Sequence, residues 1–458
     1  MRMKPLLVIA IMGVLGSCSL TENKSVRVAA AHLNEAVKVD VIVPEHGMAD
    51  PHAWVQNDTV FIICGHDESW EGKGSFRMDR WEVWSSTDLK NWEHHRNILP
   101  SQTYIGDKPN CWAGDVCERD GKYYWFFSNR NINTGVMVAD QITGEYRDLL
   151  GKPLLPEGIV PVHPYDPEIY IEDGVYTICF GAGTYYMATL SEDMKSLATE
   201  PKKILVQDEN GNPVKADDKS TLFKRNGWYY LVYGSRYAMA ENLYGPYTFK
   251  GAFLEGGHTS FFDWHGQLYV LQENHDISAF YRGASLKPVF FNDDQTIYIP
   301  EDDRMYPAPG RPWEFKSTTM GWQALKGTDI AYHKGVIAGQ LTEKEATVVS
   351  APWLYTDTRE CSEITIRMKN SSVAKALKFS IFSRDRGNGF WTSFTEPVDW
   401  SKQDWVTIPI KANDTDFHTY TIPISQFKDL KERLMQVAVQ PAADAVSGNW
   451  EIDEIIVK

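Results

Sequence analysis

The sequence predicts an all-β protein: a five-bladed β-propeller followed by a C-terminal β-sandwich. Short runs rich in β-branched and aromatic residues, bounded by turn residues, fill positions 38–317 with almost no helical periodicity. Five of these runs share one layout at similar spacing, which is typical of propeller blades. After a Pro-rich stretch the pattern changes to strands that alternate apolar and polar residues, which favours two packed sheets.

Each of the five repeated units has a turn residue shortly before an aromatic residue at the centre of a strand. The aromatic residues are Phe61, Tyr123, Tyr176, Tyr229 and Tyr269. The residues ten or eleven positions upstream of them are Asp50, Trp112, Asp166, Asp218 and His258. Equivalent positions of a circular repeat lie around a common axis. We therefore expect three carboxylates, one Trp and one His to meet in a central pocket.

The length and charge of the chain limit its organisation and partners. A chain of 458 residues is suited to two or three domains. The excess of Asp+Glu (61) over Lys+Arg (46) disfavours a nucleic-acid partner. We predict a signal peptide at 1–17, a tether at 18–37, the propeller at 38–317 and the sandwich at 318–458, and we expect the strand-like run that ends at residue 299 to help close the ring.

The N-terminus has the features of a secretion signal. A basic start, Met1–Lys4, precedes a short apolar run, Leu6–Leu15. The ending Leu15-Gly16-Ser17-Cys18 resembles a bacterial lipobox, which implies cleavage before Cys18 and lipid attached to that residue. An ordinary signal peptide with an incidental Cys is the alternative. The predicted location is the cell envelope of a Gram-negative bacterium, as an outer-membrane lipoprotein that touches the membrane only through its anchor.

The remaining cysteines match neither a metal site nor a disulfide framework. Cys64 and Cys179 lie in apolar runs and are interpreted as buried thiols. Cys111 and Cys117 could pair in an oxidising compartment, but they flank the stretch around Trp112, and we do not predict that bond.

The C-terminal region ends on a pattern that looks like the last strand of jelly-roll carbohydrate-binding modules, Trp450–Ile455. A jelly-roll-like sandwich with a sugar-stacking platform is one interpretation, and the platform residues would be Trp391, Trp400 and Trp405. A packing domain that supports the propeller is the other.

Several motifs in order along residues 45–300 resemble glycoside hydrolase family 43. They are Ala49–Trp54, Trp81–Trp92, Trp112–Asp115, Asp166–Tyr170, Leu222–Tyr230 and Gly257–Ser260. The resemblance implies hydrolysis in a single inverting displacement by a base and an acid roughly 6.5–9.5 Å apart. It implies that Asp50 is the base, and that Asp166 orients the acid and raises its pKa by like-charge repulsion.

The general acid is where this chain departs from the family pattern. The family has Glu followed by Gly or Ala and then Pro, whereas this chain has Asp218-Lys219-Ser220. Asp is one methylene shorter, and an ammonium group close to it would favour the charged form. Three alternatives follow: Asp218 is the acid in a reshaped pocket, His258 or Glu168 has taken the role, or hydrolysis is lost and binding is kept.

Further residues are candidates for the surroundings of the sugar, and one of them is matched through the resemblance. His258 matches an axial His that in relatives holds a calcium ion or a water, and a purely structural His is the alternative. Trp112 could stack on a sugar ring or belong to the blade core, while His52 and Arg282 are candidate substrate contacts. No cofactor is expected for the reaction beyond one structural Ca²⁺ at the axis.

The predicted function is hydrolysis of pentosides or galactosides of plant or algal polysaccharide, of the α-L-arabinofuranosidase or β-xylosidase type and with exo action. A non-catalytic glycan-binding surface lipoprotein on the same scaffold is the alternative from another class. A propeller lyase or transferase is a third.

Overall fold

The structure is a computed structural model that describes residues 36–68, 76–254, 256–299, 312–316, 318–385 and 397–458. These residues form strands and turns, with single 3-10 turns at Pro100–Gln102, Thr358–Glu360, Trp400–Lys402 and Ile424–Gln426. No helix in these ranges is long and apolar enough to cross a membrane. The predicted signal peptide, Cys18 and the tether up to residue 35 lie outside the described residues.

The first three blades are antiparallel sheets of four strands in sequence order. Their inner strands begin just before the turn-and-aromatic repeat that predicted them. The first blade comprises Met48–Gln56 (β1), Thr59–Asp67 (β2), Met78–Ser86 (β3) and Glu93–Ile98 (β4). The second comprises Cys111–Arg119 (β5), Lys122–Asn129 (β6), Asn133–Ala139 (β7) and Arg147–Asp148 (β8). The third comprises Glu168–Glu172 (β9), Val175–Phe180 (β10), Tyr186–Thr189 (β11) and Lys202–Lys203 (β12).

The last two blades depart from the four-strand plan at their outer edges. The fourth consists of Val206–Gln207 (β13), Ser220–Arg225 (β14), Trp228–Tyr233 (β15), Arg236–Ala240 (β16) and Tyr247–Ala252 (β17), with β13 parallel to β17. The fifth consists of Thr259–Trp264 (β18), Gln267–Ser278 (β19) and Tyr281–Pro288 (β20). A separate hairpin follows, formed by Phe290–Phe291 (β21) and Ile297–Tyr298 (β22).

The N-terminal segment closes the ring. Val39 and Leu286 exchange backbone hydrogen bonds at 2.9 and 2.8 Å, and the Ile42 N–H donates to the Ala284 carbonyl at 2.8 Å. This segment therefore takes the outer position of the fifth blade, paired with β20. The ending of the run to residue 299 pairs within its own hairpin, so the expectation that this ending helps close the ring is wrong. Pairing the start of the chain with the last blade covers a strand edge that would otherwise be exposed. The inner strands β1, β5, β9, β14 and β18 adjoin in that order and return to β1.

The C-terminal region is a sandwich of two antiparallel sheets, which confirms the predicted fold class. The strands of one sheet are Pro312–Trp313 (β23), Ala331–His333 (β25), Val336–Leu341 (β26), Glu363–Asn370 (β29), His418–Pro423 (β32) and Gly448–Val457 (β34). Those of the other are Gln323–Lys326 (β24), Thr347–Val349 (β27), Thr356–Asp357 (β28), Ala376–Arg384 (β30), Trp405–Pro409 (β31) and Arg433–Gln440 (β33). Because β23 pairs with β34, the sandwich begins before residue 318.

The sandwich packs against the tip of the hairpin formed by β19 and β20 of the fifth blade. Ile277 and Tyr281 belong to the same apolar cluster as the sandwich core residues Trp322 and Trp450. Ala279 donates its backbone N–H to the Trp353 carbonyl at 3.2 Å. This contact brings one sandwich side chain, Trp353, to the cavity of the propeller.

Two smaller predictions concern cysteines and tryptophans. Cys64, Cys111, Cys117 and Cys179 are all buried free thiols. Trp400 is buried and packs with Trp405 in a small apolar cluster of the sandwich, and Trp391 lies outside the described residues. Because Trp400 is only 9% exposed, its ring cannot serve in an open stacking platform.

Candidate active site

Four of the five equivalent blade positions place an ionisable group in one cavity, and the remaining position, Trp112 of the second blade, adds an aromatic wall. The cavity has a volume of about 570 Å³ and is lined by Asp50, Trp112, Asp166, Asp218 and His258, among others. Pockets of this size hold small ligands. The radial convergence expected from the repeat is therefore observed.

Local backbone geometry directs the side chains of Asp50 and Asp166 into the cavity. Asp50 and Asp166 have left-handed backbone angles, with φ of 47° and 54°. Asp tolerates this region better than most residues. The pairing of β1 with β2 shifts register between Ala49 and His52, and such bulges redirect side chains. Trp112 sits at a similar shift in the pairing of β5 with β6.

Asp50 is held between two cationic groups. Its Oδ1 lies 3.0 Å from Arg282 Nη1 and 2.9 Å from His258 Nδ1, the second contact being an ion pair rather than a well-aligned hydrogen bond. Burial raises the pKa of Asp50, but Arg282 and His258 outweigh burial and hold that pKa well below its usual range. Asp50 is therefore ionised at neutral pH.

Asp166 is buried and bonded mainly through backbone and hydroxyl groups. Its Oδ1 accepts from Ser128 Oγ at 3.3 Å and its Oδ2 accepts from the Lys219 backbone N–H at 3.1 Å. Burial raises the pKa of Asp166 to about 7; His258 opposes this shift, and Asp218 and Asp50 add to it. Asp166 therefore retains a proton up to about neutral pH.

Asp218 lies on the open side of the cavity, with 45% of its side chain exposed. Its Oδ1 is 3.7 Å from His258 Nε2. Burial raises the pKa of Asp218, but His258 outweighs burial and lowers it. The expectation of a raised pKa for Asp218 is therefore not met, because His258 lowers the pKa of this half-exposed carboxyl, while burial raises that of Asp166.

His258 stands between the carboxylates of Asp50 and Asp218. Burial lowers its pKa, but Asp50 and Asp218 raise it well above its ordinary value. The imidazolium therefore links the two groups across the cavity, Nδ1 facing Asp50 and Nε2 facing Asp218.

A second charged cluster lies at the propeller hub, outside the cavity lining. Lys219 Nζ is 2.9 Å from Glu168 Oε2, and His52 Nε2 is 2.5 Å from Asp115 Oδ1. The Lys219 ammonium points to this cluster, so the sequence-based concern that it would hold Asp218 in its charged form does not apply. Burial raises the pKa of Glu168 to about 7, against the effect of Lys219.

Two sequence-based assignments change with this placement. His52 does not line the cavity, so it is not a substrate contact there. Glu168 is buried against Lys219 and away from the cavity lining, which removes it as an alternative acid.

The chain is similar in sequence to known glycosidases. The model of glycosyl hydrolases family 43 matches residues 42–250. A xylosidase/arabinosidase of Bacteroides ovatus is 30% identical over 46% of this chain and 80% of its own length. The chain belongs to glycosyl hydrolases family 43. A β-xylosidase of Xylanibacter ruminicola is 28% identical over 52% of this enzyme and 91% of its own length.

The fold of the whole enzyme also has a solved counterpart. The structure of an arabinoxylan arabinofuranohydrolase from Bacillus subtilis covers 91% of this chain and 96% of its own, with 17% identity and a TM-score of 0.50. At that identity the match concerns the fold alone. The enzyme hydrolyses glycosidic bonds, as members of its family do.

Arg282 has a larger role in this family 43 enzyme than the sequence suggested. It lines the cavity, but its guanidinium is buried and bonds Asp67 at 2.8 and 2.9 Å as well as Asp50. Its Nη1 also donates to Glu273 Oε2 at 2.8 Å. Arg282 is therefore first a positioning residue for Asp50.

Sequence reasoning missed several residues of the cavity. Glu273 lies on β19, outside the aligned position, and burial raises its pKa to about 8 against the effect of Arg282. The alignment also missed the aromatic lining residues Phe76, Tyr165, Phe280 and Trp353, and polar ones such as Arg130. The alignment compares only equivalent positions, so residues from hairpin tips and from the sandwich carry no signal in it.

The axial residues do not fit the calcium ion expected from the family resemblance. Calcium takes six to eight oxygen ligands. Both nitrogens of His258 face carboxylates, and the hub oxygens of Glu168, Pro167 and Ser220 already surround the Lys219 ammonium at 2.9, 3.1 and 3.0 Å. The Lys219 ammonium is therefore the cation that these hub oxygens bind.

Proposed function

We propose that this enzyme removes terminal pentosyl residues, as β-D-xylosides or α-L-arabinofuranosides, by inverting hydrolysis. The observation that carries the proposal is the convergence of Asp50, Asp166 and Asp218 on one cavity of about 570 Å³. The names of relatives support the pentose: one is a xylosidase/arabinosidase and another a β-xylosidase.

Asp50 acts as the general base in this proposal. It is charged, buried and held by Arg282, so it can take a proton from a water molecule without first changing its own position. The His258 ring separates it from Asp218. That arrangement suits the separation of roughly 6.5–9.5 Å that an inverting reaction needs to admit water.

Asp218 acts as the general acid and gives its proton to the leaving oxygen. In the free enzyme its pKa is lowered and the carboxylate is charged, so Asp218 must take up a proton from solvent when substrate binds. A sugar that covers the exposed carboxyl removes water from around it, and desolvation favours the protonated form. Asp166 lies close to Asp218 and His258. It accepts a hydrogen bond from the backbone N–H of Lys219, the residue after Asp218, and in this proposal that bond orients Asp218.

The size and walls of the cavity support exo action on short chain ends. About 570 Å³ accommodates a few sugar rings rather than a long polymer. Trp112 and Phe76 form part of one wall, with ring centroids 6.1 Å apart. Trp353 brings the sandwich into the cavity lining, so we infer that this domain shapes the substrate site.

A substrate panel tests the proposal. Purified enzyme is incubated with aryl β-D-xyloside, α-L-arabinofuranoside and β-D-galactoside, and with xylo-oligosaccharides. We expect kcat/KM on one pentoside to exceed that on the galactoside by about 10-fold or more. NMR of the first product should show the inverted anomer. Retained configuration, or galactoside as the best substrate, would contradict the proposal.

We further propose that the enzyme is exported and anchored through lipid on Cys18, acting on plant or algal polysaccharide at the cell envelope. The basic start, apolar run and Leu15–Cys18 ending support this proposal. Labelled fatty acid should enter the natural protein and not a Cys18→Ser variant. Equal labelling of both would overturn it.

A further inference from the structure

The first blade carries a cluster of histidines and carboxylates apart from the catalytic cavity. One nitrogen each of His46 and His66 and one oxygen of Glu82 lie within 4.8 Å of one another. The three residues come from the segment before β1, from β2 and from β3. None of them lines the cavity described above.

His66 is the residue that points to a ligand. Its side chain is 4% exposed, and its Nε2 has no hydrogen-bond partner. Its Nδ1 is 3.2 Å from Asp79 Oδ1. A proton on Nδ1 is therefore shared with this carboxylate, which leaves a lone pair on the buried Nε2. Metal-binding histidines commonly have this arrangement, with the second nitrogen bonded to a carboxylate.

The other two donors already lie close together. His46 Nε2 is 2.6 Å from Glu82 Oε2, and 16% of the His46 side chain is exposed. Trp84 Nε1 donates to the same Glu82 oxygen at 3.0 Å, while Arg80 occupies the other oxygen at 2.8 Å. Arg80 thus orients Glu82 and leaves Oε2 facing His46.

We propose that His46, His66 and Glu82 bind one Zn²⁺ ion, with a water at the partly exposed side as fourth ligand. Two imidazoles and one carboxylate are donors that zinc prefers, whereas calcium and magnesium prefer oxygen. The carboxylates of Glu68, Asp79 and Glu82 lie around the two histidines, and the Arg80 guanidinium contacts the last two. This excess of carboxylates favours a divalent cation.

The position of the site suggests what the ion would do. The backbone carbonyl of His46 accepts from Tyr281 Oη at 3.3 Å, so His46 belongs to the segment that joins the last blade to the first. An ion held by His46, His66 and Glu82 would tie this closing segment to the first blade. Binding to the folded state alone would then raise the thermal midpoint.

Calorimetric titration of the metal-stripped full chain with Zn²⁺ tests the proposal. We expect one ion per chain with micromolar or tighter affinity and a higher thermal midpoint. His46→Gln and His66→Gln should each abolish saturable binding, and Asp79→Asn should weaken it by about 10–100-fold. His163→Gln is the matched control, since His163 also lies beside a carboxylate, 3.3 Å from Glu157, but is exposed and outside any such cluster of the described residues.

Cobalt gives an independent measurement if His66→Gln fails to fold. Co²⁺ added to the wild-type chain should give the visible absorption bands of a four-coordinate ion, and excess Zn²⁺ should remove them. Zinc binding that is unchanged in His46→Gln, or a wild-type chain without saturable zinc binding or cobalt bands, would overturn the proposal. Neither result depends on glycosidase activity.

Discussion

The two sides of the cavity hold their carboxylates in opposite ways. Asp50 has 2% of its side chain exposed and contacts two cationic groups at 2.9 and 3.0 Å. Asp218 has 45% exposed and its contact with His258 is 3.7 Å long. The Asp50 side is therefore fixed by the fold, whereas the Asp218 side has room to adjust. This difference suits the proposal that Asp218, which is one methylene shorter than the family's Glu, is the acid.

The largest expected effect is on the fixed side. Asp50→Asn should lower kcat by about 10²–10⁴-fold, because the amide cannot accept the proton of water. Binding of xylo-oligosaccharide, measured by calorimetry, should remain. Asp58→Asn, at an exposed turn, is the control and should leave both unchanged. Activity within a few-fold of wild type in Asp50→Asn would remove Asp50 as the base.

The adjustable side should respond according to the leaving group. Asp218→Asn should lower kcat/KM by about 10²-fold or more on a substrate with a poor leaving group and much less on an activated aryl glycoside, because only the former needs a proton. Asp217→Asn is the matched control one residue away. Equal losses on both substrates would show that Asp218 is not the acid.

Weakening the contact of Arg282 with Asp50 should make the Asp50 side of the cavity more like the Asp218 side. Arg282→Lys keeps a positive charge but loses the forked bonds to Asp67 and Asp50, so the pKa of Asp50 should rise. A base must be ionised, so activity is lost as pH falls through its pKa. The acid limb of the kcat/KM profile should therefore lie at higher pH in the variant than in the wild type. An acid limb at the same pH as in the wild type would show that Arg282 does not lower the pKa of Asp50.

The smallest expected effect is on stability. The pKa values of Asp166 and Glu273 are raised to about 7 and about 8 by burial. A group whose pKa is raised on folding stabilises the protein below its unfolded pKa, and this contribution is lost as pH rises through the folded value. The thermal midpoint should decrease as the pH is raised from 5.5 to 8.5. Asp166→Asn should make this decrease with pH less steep. A midpoint that rises over this range would show that these carboxyls are not held protonated.

Part of the site could be predicted from the sequence because the repeat makes it periodic. Asp50, Trp112, Asp166, Asp218 and His258 occupy one position in five similar units, and circular closure brings that position to a common cavity. The blade count, the sandwich and the buried thiols follow from strand pattern and apolar runs in the same way.

Other features depend on contacts between residues far apart in the chain. Glu273 and Trp353 reach the cavity from a hairpin and from the second domain, and ring closure by Val39 needs the last blade as its partner. The direction of the Lys219 side chain, away from Asp218 and toward Glu168, is also invisible in sequence order.

The sequence by itself determined the number of blades, the order of the two domains and the ring of polar positions, because these depend on local periodicity. Only the tertiary structure decided which carboxyl carries a proton. Burial, and the distance to Arg282 and His258, set the pKa of each carboxyl, and both arise when distant strands meet.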